Sequence, residues 1–314
     1  MKPLCIIRGP IATRSGYGDM ARDIARHVIA YGKYDVKIHS TPWGDTPTNA
    51  LDPDEPMDKI LLDRVLTESV ARPPDLFISI TVPSEFTPNG KYNIGITAGI
   101  ETTLPSVQWI EGCNRMDTVW FISNFSKQTF ANVTYNQTDA GGNIVKAIKV
   151  EIPTDVLPNC VNTKIFKKLD HESELESSIR FMMNGIDNTF NFLFVGHWLP
   201  GNLGQDRKNV GLLIKIFLET FKTVKENQPG LILKTSSAGF SILDQTEILK
   251  KISMIKESVT LEDGQIMPNI YVLHGELTEL EMNSLYNHPK VKAHVSFTKG
   301  EGCFHPIVFH PFFY

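Results

Sequence analysis

A basic pair at the start of a predicted helix is the feature of this sequence that could most clearly do chemistry. Arg207 and Lys208 follow an apolar run that begins at Phe190, and apolar residues recur at helical spacing after them. In parallel α/β sheets, ligands bind in the loops at the carboxyl ends of the strands. The free amides of a first helical turn also favour an anion. The pair therefore predicts a site for a phosphate-bearing ligand.

A glycine-rich loop near the N-terminus is a second candidate anion site. Gly9, Gly16 and Gly18 lie between a short apolar strand and a helix. Glycine lets backbone amides approach a diphosphate closely, because no side chain intervenes. The spacing matches neither the dinucleotide-binding fingerprint nor the Gly-Lys-Ser/Thr phosphate loop. A flexible loop without a ligand is the alternative that these residues leave open.

Polar residues at other strand ends are further candidates. Glu101 follows a predicted strand, where it could face a cleft, cap a helix or pair with a neighbour. His197 and Thr235 follow the two strands that flank the basic pair, and they are candidates to line the same cleft. A polar loop residue without a ligand is the alternative for His197. The acidic residues Asp52 and Asp54 superficially resemble a metal clamp, but they lie among prolines, which favours a solvated turn. We therefore predict no metal site.

Parallel sheets would bring these candidates to common edges, and the apolar pattern predicts two such sheets. In the first half, strands are predicted at 4–7, 36–39, 76–80, 94–97, 118–122 and 148–152, and helices at 19–31, at 60–71 and after Ser123. In the second half, a strand from Phe190, a helix from Val210 and a strand at 231–234 follow one another. We expect an α/β protein with two Rossmann-like, doubly wound domains that face a cleft. The predicted domains are 1–166 and 190–314, with a linker or hinge at 167–189.

Composition argues against several classes of function. The chain has 314 residues, enough for two domains, and its net charge of −4 argues against broad binding to nucleic acid or to an anionic membrane. Its four cysteines have no metal or redox spacing, as expected in a reducing compartment. The N-terminus does not match a signal peptide, and no apolar run approaches the roughly 18 residues of a membrane span. We expect a cytoplasmic protein without a transmembrane segment, and its oligomeric state stays open.

Several sequence segments occur in an order that is typical of one enzyme family. In chain order they are TVWFISNFSKQTF, LPNCVNTKIF, FLFVGHW followed by RKN, LILKTS, YVLHGELTELEMNSLYN and VSFTKGEG. The series resembles the retaining glycosyltransferases of the GT-B fold, in particular family four of the sugar-nucleotide-dependent enzymes, also called group 1. The resemblance extends from about residue 4 to residue 302, which is nearly the whole chain.

The resemblance implies a division of labour between the two domains. The N-terminal domain would hold an acceptor, whose identity stays open, and the C-terminal domain would hold a nucleoside diphosphate sugar as donor substrate. Arg207 and Lys208 would contact the donor diphosphate, and Gly16 and Gly18 would lie near the same phosphates. Cations placed there would stabilise the leaving diphosphate without a metal. No further cofactor is implied.

The resemblance also implies catalytic residues, with one departure from the family pattern. Glu301 looks like the first member of a Glu-x7-Glu signature and would face the donor sugar, and Glu101 lies where the family often presents a polar residue, commonly histidine. Phe309 stands where the second glutamate should bind the ribose, and the chain stops at Tyr314. We therefore expect a donor domain that is incomplete at its C-terminus. A nucleotide-sugar epimerase and a non-catalytic protein with residual nucleotide binding stay open as alternatives.

Overall fold

The structure is a computed structural model, and it describes residues 2–68, 70, 72–100, 102–159, 161–201, 203–237 and 241–298. The predicted catalytic residues Glu101 and Glu301, and also Phe309, lie outside the described residues. The chain divides into two compact units, Met1–Cys160 and Val161–Tyr314. Each unit is built around its own parallel sheet.

The first unit contains a parallel sheet to which six of the described strands contribute. These are β1 (Leu4–Gly9), β2 (Asp35–Ser40), β3 (Leu76–Ile80), β4 (Tyr92–Thr97), β5 (Thr118–Phe121) and β8 (Thr154–Val156), in the order β2-β1-β3-β4-β5-β8. Neighbouring residues of β1 point to opposite faces, so that Cys5 and Ile7 lie in one core cluster and Ile6 lies in another. Burial on both faces explains why these strands read as continuous apolar runs.

Four helices of the first unit are α1 (Gly16–Tyr31), α2 (Pro56–Leu62), α3 (Val107–Cys113) and α4 (Asn124–Ala131). Helix α1 begins three residues before the predicted Asp19, because Ser15 caps it and its hydroxyl accepts from Gly18 N at 3.0 Å. The helix predicted after Ser123 is confirmed as α4, and Ser123 caps it, since its Oγ accepts from Ser126 N at 3.1 Å.

Two predicted elements of the first unit are wrong. The helix predicted at 60–71 ends at Leu62, because the chain then returns to the edge of the sheet: Ile38 N donates to Arg64 O and Leu66 N donates to Ile38 O, both at 2.8 Å. The strand predicted at 148–152 is replaced by an antiparallel hairpin of β6 (Tyr135–Thr138) and β7 (Ile144–Ile148), after which β8 joins the sheet.

The second unit contains a parallel sheet with four of the described strands. These are β9 (Asn191–Val195), β10 (Gly230–Lys234), β11 (Ile270–Leu273) and β12 (Val291–His294), in the order β11-β10-β9-β12. The helices are α5 (Ser177–Asn184), α6 (Val210–Phe221), α7 (Ile242–Glu257) and α8 (Glu279–Asn287). Leu231 and Leu233 share a core cluster with α6 and α7, whereas Ile232 lies in the cluster formed with α5 and α8. The sheet is therefore covered on both faces, as the doubly wound prediction required.

The segment 167–189, predicted as a linker, contains α5. Ile179 and Met183 of this helix are buried in the second core, and Ser178 Oγ donates to Glu281 Oε1 at 2.6 Å. The segment therefore packs as part of the second unit. A helix of eight residues offers too few apolar positions for a clear stripe in the sequence, which is why the pattern did not indicate it.

Two of the expectations concern metals and membranes. Asp54 N donates to Asp52 Oδ1 at 2.9 Å, the geometry of a local turn. In the described ranges, no group of three or more His, Cys, Asp or Glu residues could hold a metal ion. No helix within those ranges is long and apolar enough to cross a membrane.

Candidate functional site

The strand order of the second sheet reverses at β9, which pairs with β10 on one side and with β12 on the other. Ligands of doubly wound sheets bind at such a switch point, outside the carboxyl ends of the strands. The segments 196–209 and 295–298 follow these two strands, and Asn209 Nδ2 donates to Phe297 O at 2.9 Å. The two segments therefore meet at the edge where a ligand is expected, which we call the second carboxyl edge.

The two members of the basic pair have different environments at this edge. Lys208 is buried, with 8% of its surface exposed, whereas Arg207 is exposed. A β-carbon built on Gly196 would lie 3.8 Å from Lys208 Cδ, so the stem of the lysine packs against the end of β9. The protein thus holds Lys208 at the end of a strand, while Arg207 lies at the surface.

His197 is exposed and lies among cations. Its Nδ1 atom is 3.1 Å from Ser236 Oγ. Partial desolvation lowers the pKa of His197, and the charges of Lys234 and Lys208 lower it further, against hydrogen bonds with Ser237 and Ser236 that raise it. Two lysines therefore contribute positive charge near this imidazole, which favours an anionic ligand, and Glu276, which acts on Lys234, partly offsets it.

Thr235, the other candidate to line the site, is buried. Its Oγ1 donates to Gly196 O at 2.7 Å, and Trp198 N donates to Ser236 O at 2.8 Å. These bonds continue the pairing of β9 and β10 beyond the ends of both strands. The geometry gives Thr235 a structural contact that fixes the backbone around His197.

The start of α6 is already contacted by a carboxylate of the protein. Asp206 is buried, and its Oδ1 accepts from Val210 N at 3.3 Å. Asn209 precedes the helix with φ 52, a left-handed conformation that asparagine tolerates better than most residues. The amide of Val210 is therefore already hydrogen-bonded. An anion at this edge would be attracted more by the lysines than by the free amides of α6.

Three polar side chains at this edge were not identified from the sequence. Lys234 Nζ donates to Gly275 O at 2.6 Å, and burial lowers the pKa of Lys234 although Glu276 opposes the shift. His274 Nε2 lies 2.8 Å from Asp244 Oδ2, and little of either side chain is exposed. A lysine that ends the apolar run LILK and a histidine that ends YVLH were the available signals.

Asp244 connects the segment after β10 to the segment after β11. Both of its carboxylate oxygens lie 3.2 Å from Ser237 N. Burial raises the pKa of Asp244, but the hydrogen bonds from Ser237 and His274 outweigh that effect and leave it lowered. The carboxylate is therefore held in its charged form by its partners.

The glycines of the N-terminal loop have different surroundings in the first unit. A β-carbon on Gly18 would lie 2.3 Å from Thr13 O, so this glycine permits close packing of the protein's own backbone. Its amide donates to Ser15 Oγ. A β-carbon on Gly16 would meet nothing within 4 Å. Of the two, only Gly16 has open space beside it for a ligand.

The loop that precedes these glycines is stabilised from within. Buried Arg22 donates from Nη1 to Ile11 O at 2.6 Å and to Thr13 O at 2.9 Å. Thr13 Oγ1 donates to Pro10 O at 2.8 Å. We call the carboxyl ends of β1, β3 and β4 the first carboxyl edge. The loop that follows β1 at this edge is held by hydrogen bonds among its own polar groups and Arg22.

Comparison with solved structures bears on the fold. A UDP-forming α,α-trehalose-phosphate synthase from Burkholderia xenovorans matches 96% of this chain and 79% of its own, with TM-score 0.53 and 10% identity. The alignment with the synthase from Burkholderia vietnamiensis also covers 96% of this chain and 79% of the synthase, with TM-score 0.52 and 10% identity. An E. coli trehalose-6-phosphate structure with bound UDP-2-fluoro glucose matches 95% of this chain and 79% of its own, with TM-score 0.51 and 14% identity.

The chain has the GT-B fold. This confirms the fold that the resemblance to retaining glycosyltransferases implied. No protein-family model matches the chain, and no curated protein matches it by sequence. At such low identities the similarity to trehalose-phosphate synthases shows the fold alone.

Proposed function

We propose that this protein is a glycosyltransferase that moves a sugar from a nucleoside diphosphate sugar to a hydroxyl acceptor, with retention of configuration and without a metal. The observation that carries the proposal is buried Lys208, which lies beside the end of β9 and acts with Lys234 on exposed His197. A fixed cation at the switch point of a GT-B sheet suits the diphosphate of such a donor.

The proposed reaction breaks the bond between the anomeric carbon of the donor and the diphosphate oxygen, and forms a bond from that carbon to the acceptor oxygen on the same face. The acceptor proton leaves with the diphosphate. Negative charge grows on the leaving diphosphate in the transition state, and the ammonium group of Lys208 would stabilise it there. Glu101 and Glu301 remain the proposed catalytic residues on the sugar, and Arg207 a proposed contact of the diphosphate at the surface.

Donor binding is the first test of this proposal. Calorimetry should show that Lys208→Ala weakens binding of the preferred donor by about tenfold to a hundredfold, the effect of losing a hydrogen bond to a charged group. Lys222→Ala is the matched control, because Lys222 Nζ donates to Thr260 O at 2.9 Å near the other end of α6. Equal affinities for wild type and Lys208→Ala, with both proteins folded, would contradict the assignment.

The donor panel should contain uridine, guanosine and adenosine diphosphate sugars. A uridine diphosphate sugar comes first, because the E. coli structure of the same fold contains UDP-2-fluoro glucose. Thermal shifts select the donor, and NMR of the product then reports its anomeric configuration.

One sequence observation favours a second candidate, a non-catalytic protein that binds a nucleotide. Phe309 stands where the resembling family has a ribose-binding glutamate. Loss of that contact would weaken donor binding by about tenfold to a hundredfold. If a donor binds but no nucleoside diphosphate is released with any acceptor tested, the second candidate is favoured. Conversion of the donor sugar without an acceptor would instead indicate an epimerase.

A further inference from the structure

The segment 98–106, between β4 and α3, has neither helix nor strand in its described part. It is nevertheless held firmly at its beginning. Ala98 N donates to Tyr17 Oη at 3.0 Å, and Ser126 Oγ donates to Ala98 O at 2.8 Å. Side chains from α1 and α4 thus hold both backbone polar groups of Ala98.

The next residue of the segment is also constrained. Gly99 has φ 79, and its amide donates to Thr97 Oγ1 at 3.2 Å. A β-carbon on Gly99 would lie 2.7 Å from Ser126 Cβ. Thr97 Oγ1 is in turn 3.0 Å from Tyr17 Oη, so one tyrosine hydroxyl contacts both the end of β4 and the start of the segment.

A second tyrosine hydroxyl holds the far end of the segment. Tyr135 Oη donates to Pro105 O at 2.7 Å. Between the two anchors Leu104 is exposed. The segment is therefore fixed near both ends, and Thr102, Thr103 and Leu104 are exposed between the two anchors, at the first carboxyl edge.

The ring of Tyr17 is itself held in place. It stacks on Trp43 with ring centroids 4.2 Å apart. The loop that contains Trp43 is bonded to the N-terminal loop, because Ala50 N donates to Ala12 O at 3.0 Å and Arg14 Nε donates to Asn49 Oδ1 at 3.0 Å. The hydroxyl of Tyr17 is thus carried by a ring with little freedom to move.

We infer that Tyr17 is a positioning residue, whose hydroxyl fixes the described start of the segment 98–106 so that its exposed polar residues Thr102 and Thr103 meet the acceptor, which the first unit would hold, in one geometry. The inference rests on the proposed transferase function. Tyr17 acts through the segment and not through contact with the reacting atoms. Small displacements of positioned groups have large effects on rate, so loss of this anchor should lower turnover more than donor affinity.

Hydrogen exchange tests the positioning without any need for activity. In Tyr17→Phe the ring and its stacking remain, while Ala98 N loses its acceptor. Exchange of the amides in 98–106 should become about tenfold faster, the effect of losing one hydrogen bond. Tyr271→Phe is the matched control, because Tyr271 Oη donates to Asn188 Oδ1 at 2.6 Å in the second unit. Unchanged exchange in the segment would overturn the inference.

Kinetics then tests the consequence. Tyr17→Phe should lower kcat by about tenfold or more and leave the donor Kd unchanged, whereas Tyr271→Phe should leave both unchanged. Equal losses in the two variants would reduce Tyr17 to a structural role and overturn the inference. If wild type transfers no sugar to any acceptor, the proposed function fails, and the exchange experiment still decides whether Tyr17 fixes the segment.

Discussion

The two carboxyl edges follow the same doubly wound topology but use their buried cations differently. In the first unit, Arg22 is buried and donates to the carbonyls of Ile11 and Thr13, so its charge holds a loop together. In the second unit, Lys208 and Lys234 both act on His197, which is exposed. The two sheets therefore have similar carboxyl edges, and their side chains differ. Those of the first edge stabilise a loop, whereas those of the second edge place positive charge near an exposed histidine.

The largest effect should come from disturbing the rigid edge at Gly18. A β-carbon there would lie 2.3 Å from Thr13 O, and no side-chain movement can relieve a contact with backbone. We expect Gly18→Ala to reduce the free energy of unfolding by about 3 kcal/mol. Urea denaturation followed by tryptophan fluorescence is a suitable measurement, because Trp43, Trp109 and Trp120 all lie in the first unit.

Gly16→Ala is the control for that prediction. The position is in the first turn of α1, and a β-carbon there would have no atom within 4 Å, so alanine should stabilise the helix by up to about 1 kcal/mol. Equal and small effects at both positions would contradict the view that the first edge is a tightly packed support. A loss of donor binding in Gly16→Ala with unchanged stability would instead support its proposed place near the phosphates.

The next effect concerns the second edge, where Asp244 contacts Ser237 N and His274. Asp244→Ala removes an acceptor that two half-buried groups share, and we expect a loss of about 2 kcal/mol in the free energy of unfolding. Asp139→Ala is the control, because Asp139 accepts from Gly141 N at 2.9 Å in the β6–β7 hairpin but is fully exposed. The control should show no measurable loss.

Comparable losses in both aspartate variants would mean that burial of the Asp244–His274 pair adds nothing to its strength. That result would contradict the contrast between the two edges, because the hydrogen bonds of Asp244 would then contribute no more to stability than those of an exposed aspartate. A loss confined to Asp244→Ala would show that this edge, too, has a rigid part behind its cations.

The sequence predicted best where burial decides the structure. Strand β3 lies at the predicted 76–80, because a five-residue apolar run between turn residues is typical of a buried strand, and α6 starts at the predicted Val210. Prediction failed where partners distant in sequence decide. Helical spacing continues past Leu62, but Val65 forms a bridge with Ile38 at the sheet edge, and no local pattern reveals that partner.

The candidate sites show the same limit. The basic pair was recognised from its position before a helix, but its division into buried Lys208 and exposed Arg207 depends on packing against Gly196. The tight packing of Gly18 depends on Thr13, and the role of Tyr17 depends on Ala98. Residue types and spacing predicted where a ligand edge should be, and long-range contacts determine which side chains are fixed there.

The smallest expected effect is the pH dependence that His197 contributes to stability. Its pKa in the folded protein is lowered by desolvation and by Lys234 and Lys208, whereas in the unfolded chain it should be about 6.5. The unfolded chain therefore binds the proton first as the pH falls. This contribution to stability is complete above about pH 6.5 and is lost as the pH decreases toward the folded pKa.

His197→Asn should remove that dependence. Urea titrations of both proteins should give stability curves that run parallel above about pH 7.5 and diverge toward about pH 5.5, with wild type losing more. His288, whose pKa burial also lowers, is present in both proteins and cancels in the difference. Inorganic pyrophosphate sharpens the test, because an anion bound between Lys208 and Lys234 should raise the pKa of His197 and reduce the divergence. A divergence that pyrophosphate leaves unchanged would show that the positive edge does not bind a diphosphate.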